Sequence, residues 1–311
     1  MPIVKPSEMN FSGKNIITII SGLPGTGKTT LALSAPDVLL IDTDEGLARV
    51  NPAHRKDASI CKTYEEVLSD IKAAEGQYKT IVIDTCGALI EYMKDWAMRV
   101  DPKASKKDGG FSLQGYGVIK SEFVRLSAEL RKKFNVIYLF HENMTKNGDE
   151  GVFYELVVEG ATRTLVYQPA DLAAHLFIQN GRRYLGFTPT EQYSAKSAYG
   201  IKGLIEVPEL KDGEPNDFLT KLFAKVRENL DAESKTLAPQ TEAYNKAMAE
   251  ARLACAAVNA PEDVEGAAKY IKGLAHALTS EKESTAMLKA RLKELNIVWD
   301  KEQKKYAYAA N

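Results

Sequence analysis

Short unbroken apolar runs punctuate the first half of the chain. Ile16 to Ile20, Val38 to Ile41, Lys79 to Asp84 and Val136 to Phe140 are all rich in β-branched residues or otherwise apolar. Runs this short and continuous predict strands buried on both faces, as in a parallel sheet. Between them the apolar residues recur at helical spacing. One helix runs from Thr30 to Ala35, where Pro36 stops it, and others cover Ala88 to Val100 and Ile119 to Lys133. Thr63-x-x-Glu66 is a capping box for a further helix reaching about Ala74, with Val67, Leu68 and Ile71 as its apolar stripe. Strands alternating with helices in this way predict an α/β fold built on a mostly parallel, doubly wound sheet.

Beyond His141 the texture changes. Val152 to Val158 reads as a strand. Ala174 to Ile178 pairs with Arg183 to Phe187 across Asn180-Gly181, a type I′ hairpin signal, so the parallel core should finish in antiparallel strands. Residues 208–215 break the chain before a helix from Asp217 to Leu230, and DAESKTLAPQ reads as a linker. Three helical stretches follow, Tyr244 to Val258, Pro261 to Leu278 and Lys282 to Leu295, and the end forms a small hairpin around Asp300–Lys304. The expected division is a core over residues 1–230 and a small helical domain over residues 231–311.

Composition adds limits rather than direction. The 311 residues are 44% hydrophobic, with a formal net charge of -1. A surface that is wholly a nucleic-acid platform is thereby excluded, and any polyanion site must come from local clustering. Cys61, Cys86 and Cys255 are far apart and the four histidines are scattered, so no metal-ligand spacing exists. Reduced thiols in a cytoplasmic compartment are the expectation. No apolar run approaches the ~18–20 residues needed to span a bilayer, so no membrane partner is expected.

The chemistry is concentrated at the end of the first strand. Gly22-Leu23-Pro24-Gly25-Thr26-Gly27-Lys28-Thr29, followed by Thr30, is a full G-x-x-x-x-G-K-T phosphate loop lying between a strand and a helix. Its glycines let backbone N–H groups close around phosphate oxygens. Lys28 should reach the β- and γ-phosphates of ATP, and Thr29 should place its hydroxyl on Mg²⁺. Asp84, closing an apolar strand, is the second acidic element expected to hold Mg²⁺ directly or through its water, with helix capping as the alternative. Of the acids after the second strand, Asp44 first and Glu45 second are candidates to activate the attacking water. His141 ends the strand after that of Asp84, where it can sense the γ-phosphate or be simply structural.

The same order of elements resembles the RecA/RadA-like recombinases. More closely, the stretches GLPGTGKTT, LLIDTDEGL, IVIDTCGALIEYM, GGFSLQGYG, FHENM and FTPTEQYSAK resemble the phage RecA-like ATPases of the Sak single-strand annealing group, over about residues 15–205. That resemblance implies a RecA-like P-loop NTPase core and slow, DNA-stimulated ATP hydrolysis. It also implies a homo-oligomer, filament or ring, on single-stranded DNA, with a single-strand-binding protein as a further partner. Two loops, about 101–117 and 142–165, would face the DNA, and Lys196 matches the lysine inserted into a neighbour's ATP site.

Independent support for DNA binding comes from the segment Arg99 to Lys133, where nine Lys/Arg face four Asp/Glu. Lys103, Lys106 and Lys107 could contact phosphates, while Phe111 and Tyr116 stack on bases or else face the core. The second loop is weaker, because Lys146 and Arg163 are offset by Asp149, Glu150, Glu155 and Glu159. Two other classes remain open: a replicative helicase or helicase-loader motor, and a small-molecule kinase.

Overall fold

In the computed structural model the apolar runs become the middle of one sheet. The structure describes residues 13–146, 151–158, 163, 166–211, 213–301 and 303–309. They form two compact units, Gly13–Asn229 and a smaller C-terminal one from Leu230 onward.

In the first unit, β1 (Ile17–Gly22), β2 (Val38–Asp42), β3 (Ala58–Ile60), β4 (Thr80–Asp84), β5 (Asn135–Lys146) and β7 (Leu172–Gln179) pair in parallel in the order β3-β2-β4-β5-β1-β7. β8 (Arg182–Gly186) and β9 (Leu204–Val207) extend the β7 edge antiparallel, and β6 (Val152–Leu156) folds back on the outer half of β5. Asn180 and Gly181 both take positive φ, as the expected type I′ hairpin requires. Every residue of β1, β2 and β4 is buried. On one face, Ile17, Ile19, Ile81, Ile83, Tyr138 and Phe140 meet α2 (Tyr64–Ala73), α3 (Cys86–Val100) and α4 (Leu113–Lys133) in a single apolar cluster. This is an α/β fold on a mostly parallel sheet, with the phosphate loop following its central strand β1.

Register decides what the sheet delivers. Gly22 pairs with His141 and Asp42 with Asp84, so the motif-bearing residues all emerge at the same end of the parallel strands. Open parallel sheets bind ligands at that carboxyl end.

Several boundaries differ from the sequence expectation. The helix after the phosphate loop, α1, runs only from Lys28 to Ala32, because Ser34 and Ala35 tighten into i→i+3 turns ahead of Pro36. α4 begins at Leu113 rather than Ile119: Ser112 accepts from Gly115 N–H and starts the helix through two glycines. β5 continues to Lys146 instead of ending at Phe140, since β6 pairs with its extension. The presumed linker is helical: α5 spans Phe218–Ala257 with Pro239 inside it. Good helix formers around a single breaker outweigh its ~3 kcal/mol penalty.

The C-terminal unit gathers the later part of α5, α6 (Asp263–Lys272), α7 (Ser280–Glu294) and a hairpin of β10 (Ile297–Asp300) with β11 (Lys305–Tyr308). Its small core joins Ala251, Cys255, Val258, Val264, Ile271, Leu288 and Ile297. Among the described residues no helix is long and apolar enough to cross a membrane.

Candidate nucleotide and metal site

The phosphate loop starts where β1 runs out. A Cβ at Gly22 would come within 2.4 Å of the Leu176 carbonyl oxygen of β7, so only glycine fits there. Gly27 caps α1 at φ +94°, with the Arg183 side chain packed over it. A five-residue helix carries little macrodipole. The anion-binding capacity of the loop therefore lies mainly in the unpaired N–H groups of its first turn.

Lys28 is buried, and its ammonium donates to the carbonyls of Gly22 (2.8 Å) and Leu23 (3.0 Å). Burial lowers its pKa, and Asp84, Glu142 and Asp44 oppose that shift.

Thr29 donates its hydroxyl to Asp84 Oδ2 at 2.6 Å. Asp84 is 3% exposed, and burial raises its carboxyl to about 6, with Asp44 and Asp42 pushing the same way against Thr29 and Lys28. A buried carboxylate whose charge is only partly compensated, beside a hydroxyl, is a hard oxygen pair. Mg²⁺ takes such a pair together with waters and substrate phosphates. The residues therefore fit the metal, although no metal site made of protein ligands alone exists among the described residues.

The three acids after β2 separate clearly. Asp42 is consumed by the backbone: Oδ1 accepts from Gly46 N–H (2.8 Å) and Oδ2 from Leu47 N–H (2.9 Å). Glu45 is exposed at φ +58°, turning the chain into the 3₁₀ segment Gly46–Arg49. It does not line the phosphate cavity. Asp44 does line that cavity, of about 200 Å³, together with Gly25, Lys28, Thr29, Asp84 and His141. Its carboxylate sits 3.6 Å from His141 Nε2 and 3.3 Å from the Arg49 guanidinium. Desolvation and Lys28 hold His141 below its ordinary pKa, so it is neutral near pH 7.

Sequence reasoning missed Arg183 and Glu142. Arg183, on β8, donates to the Thr26 carbonyl (3.0 Å) and so braces the loop from behind. Its place was signalled only by the hairpin register after Asn180-Gly181. Glu142 is a buried acid on β5 next to His141, where the apolar run Val136 to Phe140 has just ended, a signal present in the sequence. A larger cavity of about 650 Å³ adjoins the site, bordered by Gly27, Thr30, Leu31, Arg183, Asn216 and Phe218. Asn216 ties its wall to α1 by donating to the Thr30 carbonyl (2.7 Å). Leu23, Pro24 and Thr26 face elsewhere, onto a third cavity. Lys196 is exposed and directed at the carbonyls of Tyr167 (3.3 Å) and Gln168 (3.5 Å), outside the phosphate cavity of its own chain.

The loop expected to grip DNA is shorter than anticipated. Lys103, Lys106 and Lys107 are exposed and have no ion-pair partner among the described residues. Of the two readings for Phe111 and Tyr116, the structure has the core-facing one: they meet edge to face at 5.0 Å and pack against the core. Both are half-buried. Of the second loop, Asp149, Glu150 and Glu159 lie outside the described residues, Glu155 pairs with Arg163, and Lys146 ends β5 exposed.

A phosphate loop, an acidic strand end, a hydroxyl–carboxylate pair and an inward lysine on this sheet define a P-loop NTPase domain. Residues 14–199 match the family model described as an AAA domain, and the chain belongs to that family. Among solved structures it is similar to the flagellar accessory protein FlaH from Methanocaldococcus jannaschii, at 13% identity and a TM-score of 0.29, covering 63% of this chain and 91% of that one. No curated protein matches the chain.

Proposed function

We propose that the protein is an Mg²⁺-dependent ATPase of RecA-like type that assembles on single-stranded DNA and promotes annealing in recombination, as in the Sak group it resembles. The convergence of Lys28, Thr29, Asp44, Asp84 and His141 on one cavity of about 200 Å³ carries the hydrolytic half of this reading. Bound Mg²⁺ would supply charge neutralisation at the β- and γ-phosphates. Lys28 leaves the Gly22 and Leu23 carbonyls and donates to phosphate oxygens. Asp44 accepts a proton from, or orients, the attacking water, and neutral His141 beside it donates toward developing negative charge. The 650 Å³ cavity beside Thr30 is large enough for the base and ribose.

Support for the DNA half is the cluster of three exposed lysines on the 101–112 loop, without an ion-pair partner among the described residues, in a chain of net charge -1. Lys196, idle at its own site, is suited to complete the site of a neighbouring copy, which favours a homo-oligomer. ATP turnover measured with and without single-stranded DNA tests the reading. DNA should raise the rate severalfold. An ATPase indifferent to DNA but accelerated by a small hydroxylated metabolite would instead support a kinase.

A further inference from the structure

The third cavity, of about 320 Å³, opens against the first half of the phosphate loop, and its walls are aromatic: Tyr154, His175, Phe177 and Tyr193, with Pro24 and Ile178. The rings are organised. His175 stacks on Tyr193 with centroids 4.4 Å apart and planes 22° apart, and on Phe177 at 5.3 Å and 19°. Tyr154 leans on His175 at 4.8 Å. Strand pairing fixes this arrangement, since β7 carries His175 and Phe177, and Tyr154 of β6 bridges to Tyr193 through its N–H to the Gln192 carbonyl (2.7 Å). Tyr154, Phe177 and Tyr193 are only half-buried, and Ile178 is 49% exposed at the rim.

Beneath the rings lies a buried polar pair. Glu142 Oε2 and His175 Nδ1 are 2.8 Å apart at 2% and 3% side-chain exposure, yet neither atom has a hydrogen-bond partner in correct geometry. Ring planes nearly parallel over a buried imidazole, half open to solvent, form a surface that a flat heteroaromatic ring would extend by stacking. The two rings expected to stack on bases, Phe111 and Tyr116, are committed to the core.

We propose that the cavity walled by Tyr154, His175, Phe177 and Tyr193 takes one unpaired nucleobase of a bound single strand, seated against the phosphate loop. This rests on the single-strand reading above. The lysine loop holds phosphates, and this cavity holds a base. Recognition here is stacking on a π-face, so it tolerates any base and depends little on salt.

An oligonucleotide carrying a single 2-aminopurine, titrated with the full-length protein in ATP and Mg²⁺, reads the contact directly, because stacking quenches the probe. Wild type should quench it. Tyr154→Leu and Phe177→Leu each remove one ring while keeping apolar bulk. Each should abolish much of the quenching and weaken single-stranded DNA binding roughly 5- to 150-fold, the value of one base stack, by the same factor at every salt concentration. ATP affinity should be unchanged, and that also certifies that both variants are folded. If wild type binds and quenches but both variants match it, the cavity is not a base site, although the single-strand reading survives. Loss of ATP-dependent self-association with DNA affinity intact would likewise overturn the proposal and assign the cavity to a neighbouring chain. A wild type without single-stranded DNA affinity would fail both readings together.

Discussion

Replacing Asp84 by Asn keeps the shape and the Thr29 hydrogen bond of the site and removes its buried charge. The carboxyl titrates at about 6 instead of the ordinary 3.8, first because of burial and then because Asp44 and Asp42 repel it. About two pKa units correspond to about 3 kcal/mol of destabilisation once the group is ionised. An acid whose folded value is raised binds more protons in the folded state. Stability therefore falls as pH rises from 3.8 to about 6, and the deficit is complete above that. In metal-free protein at about pH 7.5, Asp84→Asn should gain up to about 3 kcal/mol, or about 6–12 °C in Tm for a unit of this size. Near pH 4 the gain should vanish. The same variant should lose Mg²⁺-dependent turnover, because an amide oxygen is a poor partner for the metal. Calorimetry of both proteins without metal at the two pH values, and hydrolysis with Mg²⁺, are the assays. A variant no more stable than wild type at about pH 7.5 would refute the claim that burial outweighs the compensation of the Asp84 charge by Thr29 and Lys28.

Other substitutions divide the site further. Lys28→Ala should abolish hydrolysis and leave the fold intact, checked by circular dichroism and phosphate release; wild-type turnover would displace the assigned site. Asp44→Asn should spare nucleotide affinity and slow hydrolysis by roughly 10²–10⁴-fold, the range of general-base catalysis, as read by calorimetric titration beside single-turnover rates. Lys196→Ala should leave the nucleotide affinity of dilute protein unchanged and lower turnover only where the protein assembles, measured across a concentration series.

What the sequence made legible follows from how local each signal is. The phosphate loop and the strand ends are short-range patterns, so Lys28, Thr29 and Asp84, which line one cavity, could be named as candidates before any coordinates. Asp44 could only be ranked ahead of Glu45, because what separates the three acids is which backbone N–H groups Asp42 captures and that Glu45 turns at positive φ. Phe111 and Tyr116 sit in a glycine-rich, basic segment that reads as a loop. The Ser112 cap carries Tyr116 into a helix, and the two rings then turn inward. The aromatic cavity was invisible for another reason. Its rings come from β6, β7 and a later bridge, brought together only by long-range strand pairing. DAESKTLAPQ misled because one proline outweighed nine neighbours in a local reading.

The central claim, an ATP-binding protein that works on single-stranded DNA, is tested most directly by single-stranded DNA affinity against salt with ATP and Mg²⁺ present. Wild type should bind with log affinity falling linearly with log salt, by about 0.7 per phosphate contacted. Replacing Lys103, Lys106 and Lys107 by alanine should flatten that slope by about 2. A wild type that shows no affinity for single-stranded DNA at any salt concentration would contradict the account.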